Sequence, residues 1–163
     1  MDMSTTHVPP RTSMTTQNPL ATLGHTVLRA VLGITFLLHG WQKFNEWTIA
    51  GTQASFGEMG VPAADIAAPA VAVLELAGGA LLVIGLATRV IAALLTVNML
   101  GALVLVHLPA GFFAGNGGYE LVLLLAAAAL LFVLAGAGRW SVDHVIASRR
   151  GTRSSAESTP VAA

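Results

Sequence analysis

A carboxylate interrupts one of the most apolar stretches of the chain, because Glu75 lies within VAVLELAGGALLVIGLATRV, residues 71–90. An ionised acid inside a membrane span is costly, so it needs a partner or a proton. Five more polar residues fall in the same half of their apolar runs: His39, Lys43, Asn98, His107 and Glu120. A buried acid beside a lysine and a histidine can exchange protons with the polar head of a small lipid-soluble molecule. These six residues are the candidate pocket, with a quinone as its candidate ligand.

Other interpretations of these residues stay open. Lys43 and Glu75 can form a purely structural ion pair that fastens two spans. Asn98 suits a hydrogen bond between helices, worth on the order of 1 kcal/mol. His39 and His107 lie at similar depth, as the two ligands of a haem would. Two histidines on different helices, without other support, are weak evidence for haem, so a quinone is the favoured ligand. The chain has no cysteine, which excludes thiolate metal ligation and thiol relay chemistry, and no metal site is predicted.

The composition assigns the chain to the integral membrane proteins. Of its 163 residues 55% are hydrophobic and 10% charged, and the mean hydropathy is +0.74, which is too apolar for a soluble domain of this size. The formal net charge of zero gives no reason to expect a nucleic-acid partner. At about 20 residues per crossing the length allows about four spans in one helical domain.

The apolar runs predict four transmembrane helices in an antiparallel bundle, over residues 20–147. The spans are expected at about 20–41, 69–88, 89–108 and 119–137, with Pro69 in the first turn of the second span and Pro109 ending the third. Residues 1–19 and 148–163, rich in Ser and Thr, are predicted to be disordered tails. The long first connection, residues 42–68, is expected to supply short surface helices anchored by Trp47 and Phe56.

The basic residues are divided unequally between the two ends of the spans. Lys43 alone falls at one end, and seven arginines fall at the other, which we call the basic side: Arg11, Arg29, Arg89, Arg139, Arg149, Arg150 and Arg153. The positive-inside rule therefore predicts that both termini are cytoplasmic. The candidate pocket lies toward the opposite side, and no comparable set of mixed polar residues is expected near the basic side. Asp143 there is expected to cap a helix or to pair with Arg139.

An ordered set of short motifs resembles the DoxX family of small four-span membrane proteins. The set comprises Arg29-x3-Gly33, HGWQKF at 39–44, F-x3-G-x-P from Phe56, ELAGGALLVIGLATR at 75–89, GYE at 118–120 and GAGRWSVD at 136–143. The resemblance covers about residues 24 to 144. It implies a multi-pass protein of a prokaryotic inner membrane, associated with terminal-oxidase or thiosulfate:quinone oxidoreductase systems. Lys43, Glu75, Glu120 and Asp143 match characteristic positions of the family, without an assigned catalytic role.

Together these observations predict a membrane protein that serves a respiratory or oxidative-stress redox system. It would act as a quinone-interacting subunit or as the membrane anchor of an oxidoreductase, so its partners would be the lipid bilayer and an oxidoreductase. The chain contains no evident electron carrier, and whether it is itself an enzyme and whether it forms oligomers stay open. The alternative is a non-enzymatic scaffold or assembly factor for partner proteins. A small-solute transporter is less favoured, because no paired spans are broken at mid-depth.

Overall fold

Helices make up the regular structure of the described part of the chain. The structure is a computed structural model, and it describes the backbone of residues 18–157 and the side chains of residues 18–150. No strand occurs within residues 18–157, so the predicted all-α class is confirmed for that part. Its six α-helices are α1 (Pro19–Asn45), α2 (Thr48–Glu58), α3 (Ala64–Ile84), α4 (Thr88–Ala102), α5 (Glu120–Ala135) and α6 (Val142–Glu157). Between α4 and α5 lie a π-helical turn at Leu103–His107 and 3₁₀ turns at Leu108–Ala110 and Ala114–Asn116.

Three helical stretches of the described chain are long and apolar enough to cross a membrane. They are Pro19–Asn45, Ala64–Ile84 and Thr88–Ala110, the last combining α4 with the turns that follow it. Helix α5 is equally apolar but has only 16 residues, which span about 24 Å at 1.5 Å per residue. The structure thus supports three of the four predicted spans by length and composition, and a shorter apolar helix stands at the position of the fourth.

The second span begins earlier than predicted. Helix α3 starts at Ala64, so Pro69 lies inside the helix rather than in its first turn. The residues before Pro69 include alanines with high helix propensity, and a proline near a helix start removes only one backbone hydrogen bond. The helix ends at Ile84, and the next residue, Gly85, has a left-handed φ of 72°. The Leu86 N–H donates to the Leu81 carbonyl, completing a C-terminal turn that favours glycine.

The predicted tails fall only partly on described residues. At the N-terminus, Asn18 caps α1 through its side chain, which accepts a hydrogen bond from the Leu20 N–H, and Pro19 is the first helical residue; residues 1–17 lie outside the described part. At the other end α6 continues to Glu157, so residues 148–157 of the predicted tail have a helical backbone. Ala147 and the arginines that follow favour helix. Residues 158–163 lie outside the described part.

Glycines allow α1 and α3 to pack with their backbones nearly in contact. A methyl group added at Gly40 would collide with the backbone of Leu76, and one added at Gly79 would collide with the backbone of Leu37. At Gly33 the added carbon would lie 2.8 Å from the carbonyl oxygen of Gly79. Such close approach is typical of helix pairs in membranes, where small residues maximise dispersion contacts. This packing brings the end of α1 that carries Lys43 against the middle of α3.

The helices enclose a core and leave an apolar exterior. Buried side chains from α1, α3, α4 and α5 meet in one cluster, with Phe36, Leu82, Leu95, Ala129 and Phe132 among its members. Many large apolar side chains point outward instead; Leu134, for example, is 70% exposed. In water such a surface would be unfavourable, whereas in a bilayer it contacts lipid chains. The distribution is the one expected for a small membrane-embedded helical bundle.

Candidate functional site

The carboxylate of Glu75 is buried and paired with Lys43. Glu75 lies on the face of α3 that packs against α1, and Lys43 lies in the last turn of α1. The Lys43 ammonium nitrogen is 2.5 Å from Oε2 of Glu75, and the two side chains are only 9% and 5% exposed. The prediction that Glu75 needs a partner is therefore met by Lys43, the single lysine of the sequence.

Asn98 engages the second oxygen of the same carboxylate. Its Nδ2 donates to Oε1 of Glu75 over 3.2 Å, from the middle of α4. Both oxygens of Glu75 thus have a donor, one charged and one neutral, which stabilises the ionised carboxylate away from water. Asn98 and Lys43 keep further N–H groups, and Asn98 keeps its carbonyl oxygen for hydrogen bonding. The three side chains form a compact polar group, which we call the Glu75 triad.

Helix α2, with Trp47 before it, packs beside the triad and lines the cavity that the triad borders. The Trp47 ring lies 5.9 Å from the Lys43 ammonium nitrogen, within the range of a cation–π contact. Thr52 is buried on α2 and its hydroxyl lies 2.9 Å from the Thr48 carbonyl and 3.4 Å from the Lys43 carbonyl. The first connection therefore supplies one short helix, which contacts α1 and α3. Its place at the membrane surface stays a prediction.

The Glu75 triad lines a cavity of about 690 Å³, which we call the Glu75 cavity. That volume is in the range of small-molecule and cofactor pockets. Most of the lining is apolar and comes from α1 to α5, including Phe36, Phe56, Met99 and Leu125. The structure brings five of the six predicted pocket residues to this cavity: His39, Lys43, Glu75, Asn98 and His107.

The two histidines of the Glu75 cavity are each held by a backbone carbonyl. Nδ1 of His39 lies 2.9 Å from the Thr35 carbonyl oxygen, and Nδ1 of His107 lies 2.7 Å from the Gly117 carbonyl oxygen. A carbonyl oxygen only accepts hydrogen bonds, so in both rings Nδ1 carries a proton. When the ring is neutral, Nε2 is then left as an acceptor. Both histidines can therefore accept a hydrogen bond from a ligand hydroxyl, or donate one when protonated.

A π-helical turn shapes one wall of the Glu75 cavity. After Ala102 the backbone widens over Leu103–His107, and Leu105, Val106 and His107 all line the cavity. Isolated π-helical turns are rare and occur frequently at functional sites. This turn could not be predicted, because its residues LVLVH are equally compatible with a continuous α-helix.

Glu120, the sixth predicted pocket residue, lies outside the cavity. It is the first residue of α5, and its Oε2 accepts a hydrogen bond from the Ala114 N–H over 3.1 Å. A carboxylate in a first helical turn is stabilised by the helix dipole and by nearby N–H groups, and here it fixes the preceding loop. Phe112 and Phe113, in the loop before α5, pack on each other with centroids 5.4 Å apart and do not line the cavity.

A second polar cluster lies at the basic side, where none was predicted. Arg29 is 2% exposed, and its Nη2 donates to the Trp140 carbonyl oxygen over 2.7 Å. Gly85 leaves room for the guanidinium, since any side chain there would collide with it. The sequence showed Arg29 as one of several flanking basic residues. Its contact joins residues 111 positions apart, which the order of residues alone does not reveal.

Asp143 caps a helix that belongs to another part of the chain. Its Oδ1 and Oδ2 accept hydrogen bonds from the N–H groups of Ala87 and Thr88, over 2.8 and 2.9 Å, at the start of α4. Burial by itself raises the pKa of Asp143, but these hydrogen bonds and nearby Arg29 outweigh it, so the pKa lies below its ordinary value. Capping had been one of the two predicted roles. The expected pair with Arg139 is not among the ion pairs of the described residues.

Comparison with known proteins connects the chain to one family. The sequence model of DoxX matches residues 24–108, and that of "TQO small subunit DoxD" matches residues 68–162. A Bacillus subtilis protein named "Putative oxidoreductase CatD" is 39% identical over 63% of this chain and 73% of its own length. A Mycobacterium tuberculosis protein named "Uncharacterized membrane protein Rv3486" is 36% identical over 75% of this chain and 80% of its own length. An uncharacterized Haemophilus influenzae protein is 38% identical over 72% of this chain and 86% of its own length. No solved structure matches.

Proposed function

The chain belongs to the DoxX family and is a multi-pass protein of the bacterial plasma membrane. We propose that it binds a quinone in the Glu75 cavity and acts as the membrane subunit of a redox system. One observation carries this proposal. A buried carboxylate, with a hydrogen bond to each of its oxygens from Lys43 and Asn98, forms the polar wall of an otherwise apolar cavity of about 690 Å³. A lipid-soluble ligand with a small polar head matches that division between apolar and polar lining.

The Glu75 triad offers what each form of a quinone requires. A quinone carbonyl accepts hydrogen bonds, and the N–H groups of Lys43 and Asn98 at the cavity wall can donate them. A quinol hydroxyl donates, and Glu75, His39 and His107 can accept. Reduction of one quinone to quinol consumes two electrons and two protons. The residues of the cavity would exchange the protons. A partner oxidoreductase would donate or accept the electrons, because this chain has no cysteine for thiol redox chemistry or thiolate-bound clusters.

A fourth crossing by α5 is part of the proposal. Helix α5 packs on α4 through the buried core, where Val122, Ala126 and Ala129 contribute, and its length fits a locally thinned bilayer. The close contacts of α1 with α3 proceed in opposite order along the two helices, from Gly33 near Val83 to Gly40 near Leu76, which supports an antiparallel bundle. The excess of arginine at the basic side supports cytoplasmic termini.

A membrane-anchor role for an oxidoreductase is the second candidate, and the names of two matches favour it. One matching family model describes a small subunit of a larger enzyme, and one relative is named for oxidoreductase activity. An anchor or a scaffold would need the pair of Lys43 and Glu75 only to fasten α1 to α3. The two roles therefore differ in whether the Glu75 cavity holds a ligand.

The test is to purify the full chain in mild detergent and measure the quinone in its lipid extract by chromatography and mass spectrometry. We expect the wild type to contain quinone above the level in the surrounding membrane lipid. Glu75→Gln should lose most of it. Glu120→Gln is the matched control, because it changes a carboxylate at the same side but outside the cavity, and it should keep the wild-type level.

Three results would overturn the quinone assignment. They are a wild-type protein without quinone, a Glu75→Gln variant with the wild-type amount, and a Soret band in the visible spectrum, which would reassign the histidines to haem. A soluble oxidoreductase that stays bound to both variants, with no quinone in any of them, would instead support the anchor role.

A further inference from the structure

Helix α6 carries an apolar strip that is left uncovered within the described part of the chain. Val142, Val145 and Ile146 follow the spacing i, i+3, i+4, so they share one face of the helix. They are 36%, 47% and 37% exposed, and Trp140, just before the helix, is 57% exposed. These residues do not contribute to the core between α1, α3, α4 and α5. Either a surface outside the described residues covers them or they remain in water.

The start of α6 is fixed at the end of two spans. The N–H of Asp143 donates to the carbonyl oxygen of Gly85 over 2.9 Å, and the Asp143 carboxylate caps α4 at Ala87 and Thr88. Arg29 donates a hydrogen bond to the carbonyl oxygen of Trp140, two residues before the start of α6. Since α3 ends at Ile84 and α4 begins at Thr88, this anchorage places the first turn of α6 at the depth where the apolar spans reach the lipid headgroups.

Charge complements the apolar strip. Arg149 extends it at position i+7 from Val142, and Arg150 and Arg139 are also exposed. The acid of the segment 139–150 is Asp143, and both of its oxygens are occupied by α4. The exposed surface therefore combines apolar side chains and a tryptophan with positive charge. That combination is typical of helices that lie in the interface of a membrane with acidic lipids.

We propose that α6 lies on the membrane surface at the basic side and binds acidic phospholipid headgroups through Arg149 and Arg150. Val142, Val145 and Ile146 enter the boundary between headgroups and acyl chains. The arginine stems run along the same apolar surface while their guanidinium groups contact lipid phosphates. The contacts at Gly85, Ala87 and Thr88 hold the helix at that depth. This inference is independent of the ligand in the Glu75 cavity and of which side of the membrane is cytoplasmic.

The absence of cysteine from the sequence makes the test direct, because a single introduced cysteine carries the only label. Val145→Cys and His144→Cys are adjacent in sequence but about 100° apart around the helix, so they form a matched pair. Each full-length variant is spin-labelled and placed in nanodiscs of neutral lipid or of neutral lipid mixed with phosphatidylglycerol. Collision with oxygen and with a water-soluble nickel chelate then reports the depth of each label.

With acidic lipid, the label at residue 145 should be reached by oxygen and protected from nickel, and the label at residue 144 should show the opposite. Neutral lipid or high salt should weaken this contrast. Replacing Arg149 and Arg150 by Gln should lower the ratio of docked to undocked helix in acidic lipid by on the order of tenfold. Nickel access that is equal at both positions in every lipid would overturn the proposal, and would leave the strip to a soluble protein partner. Protection at residue 145 that is independent of lipid charge and salt would overturn the headgroup contact.

Discussion

The pair of Lys43 and Glu75 allows a quantitative prediction about stability. The side chains are 9% and 5% exposed with 2.5 Å between nitrogen and oxygen, so removing one partner leaves the other charge buried. Breaking a buried ion pair in this way typically costs 3–5 kcal/mol. Both groups also border a cavity, which water can enter, and Lys43 retains its contact with Trp47. We therefore expect the lower end of the range, about 3 kcal/mol, for Glu75→Leu and for Lys43→Met.

The double variant with both substitutions should behave differently. It removes both charges and places apolar side chains of similar size between α1 and α3, a replacement that is often neutral or stabilising. Its free energy of unfolding should lie within about 1 kcal/mol of the wild type, so the two single losses together should exceed the double loss by about 5 kcal/mol. Unfolding in bicelles, followed by steric trapping or by titration with a denaturing detergent, gives these values for all four proteins.

Two results would refute this reasoning. Single variants that lose less than about 1 kcal/mol would show that the ion pair is not buried as described. A double variant that loses the sum of the single losses would show that the two charges do not depend on each other. The cycle measures the ion pair as a structural contact and holds whether or not the Glu75 cavity takes a ligand.

Three further predictions concern packing, capping and hydrogen bonding. Gly40→Ala should separate α1 from α3 and cost a few kcal/mol, because the added carbon collides with Leu76. The control Gly101→Ala, where the added carbon has nothing within 4 Å, should be neutral or stabilising by up to about 1 kcal/mol in the same unfolding assay. Asp143→Ala should cost about 0.5–2 kcal/mol at pH 7. The folded-state pKa of Asp143 is lowered, so the wild type keeps this stability above the unfolded-state pKa of about 4 and loses it as the pH falls through the folded-state pKa; a difference between the two proteins that did not shrink on acidification would contradict the cap. Asn98→Leu should lower the free energy of unfolding by on the order of 1 kcal/mol and weaken quinone binding, whereas Asn45→Leu, which removes only an exposed hydrogen bond to the Trp41 carbonyl, should change neither.

The sequence predicted the polar group of the cavity well because membrane spans tolerate few charges. Glu75 required a partner, and Lys43 was the first candidate at the matching depth, ahead of His39 and His107. Asn98 could be placed by the same argument, since an amide at mid-span needs a hydrogen-bond partner in another helix. For these three residues the hydrophobic surroundings restrict the choice so strongly that depth along each span is nearly sufficient to pair them.

The basic side could not be predicted in this way. Arg29 was counted with the basic residues that flank the spans, and Asp143 follows the last predicted span, so the sequence called for no specific partner for either. Their contacts with Trp140 and with the start of α4 depend on how the segment after α5 folds back, which is a tertiary event between distant residues. Glu120 shows the opposite failure, because a first-turn acid that could have faced the cavity is used instead to hold the Ala114 loop.

Binding of a short-chain quinone to the full chain in nanodiscs tests the central proposal most directly. The wild type should bind it saturably, and the double variant Lys43→Met with Glu75→Leu should be folded yet bind at least tenfold more weakly, because it lacks the polar wall of the cavity. Glu120→Gln should bind as the wild type does. Equal affinity in the wild type and the folded double variant, or no saturable binding by the wild type, would contradict the proposal that the Glu75 triad recognises a quinone.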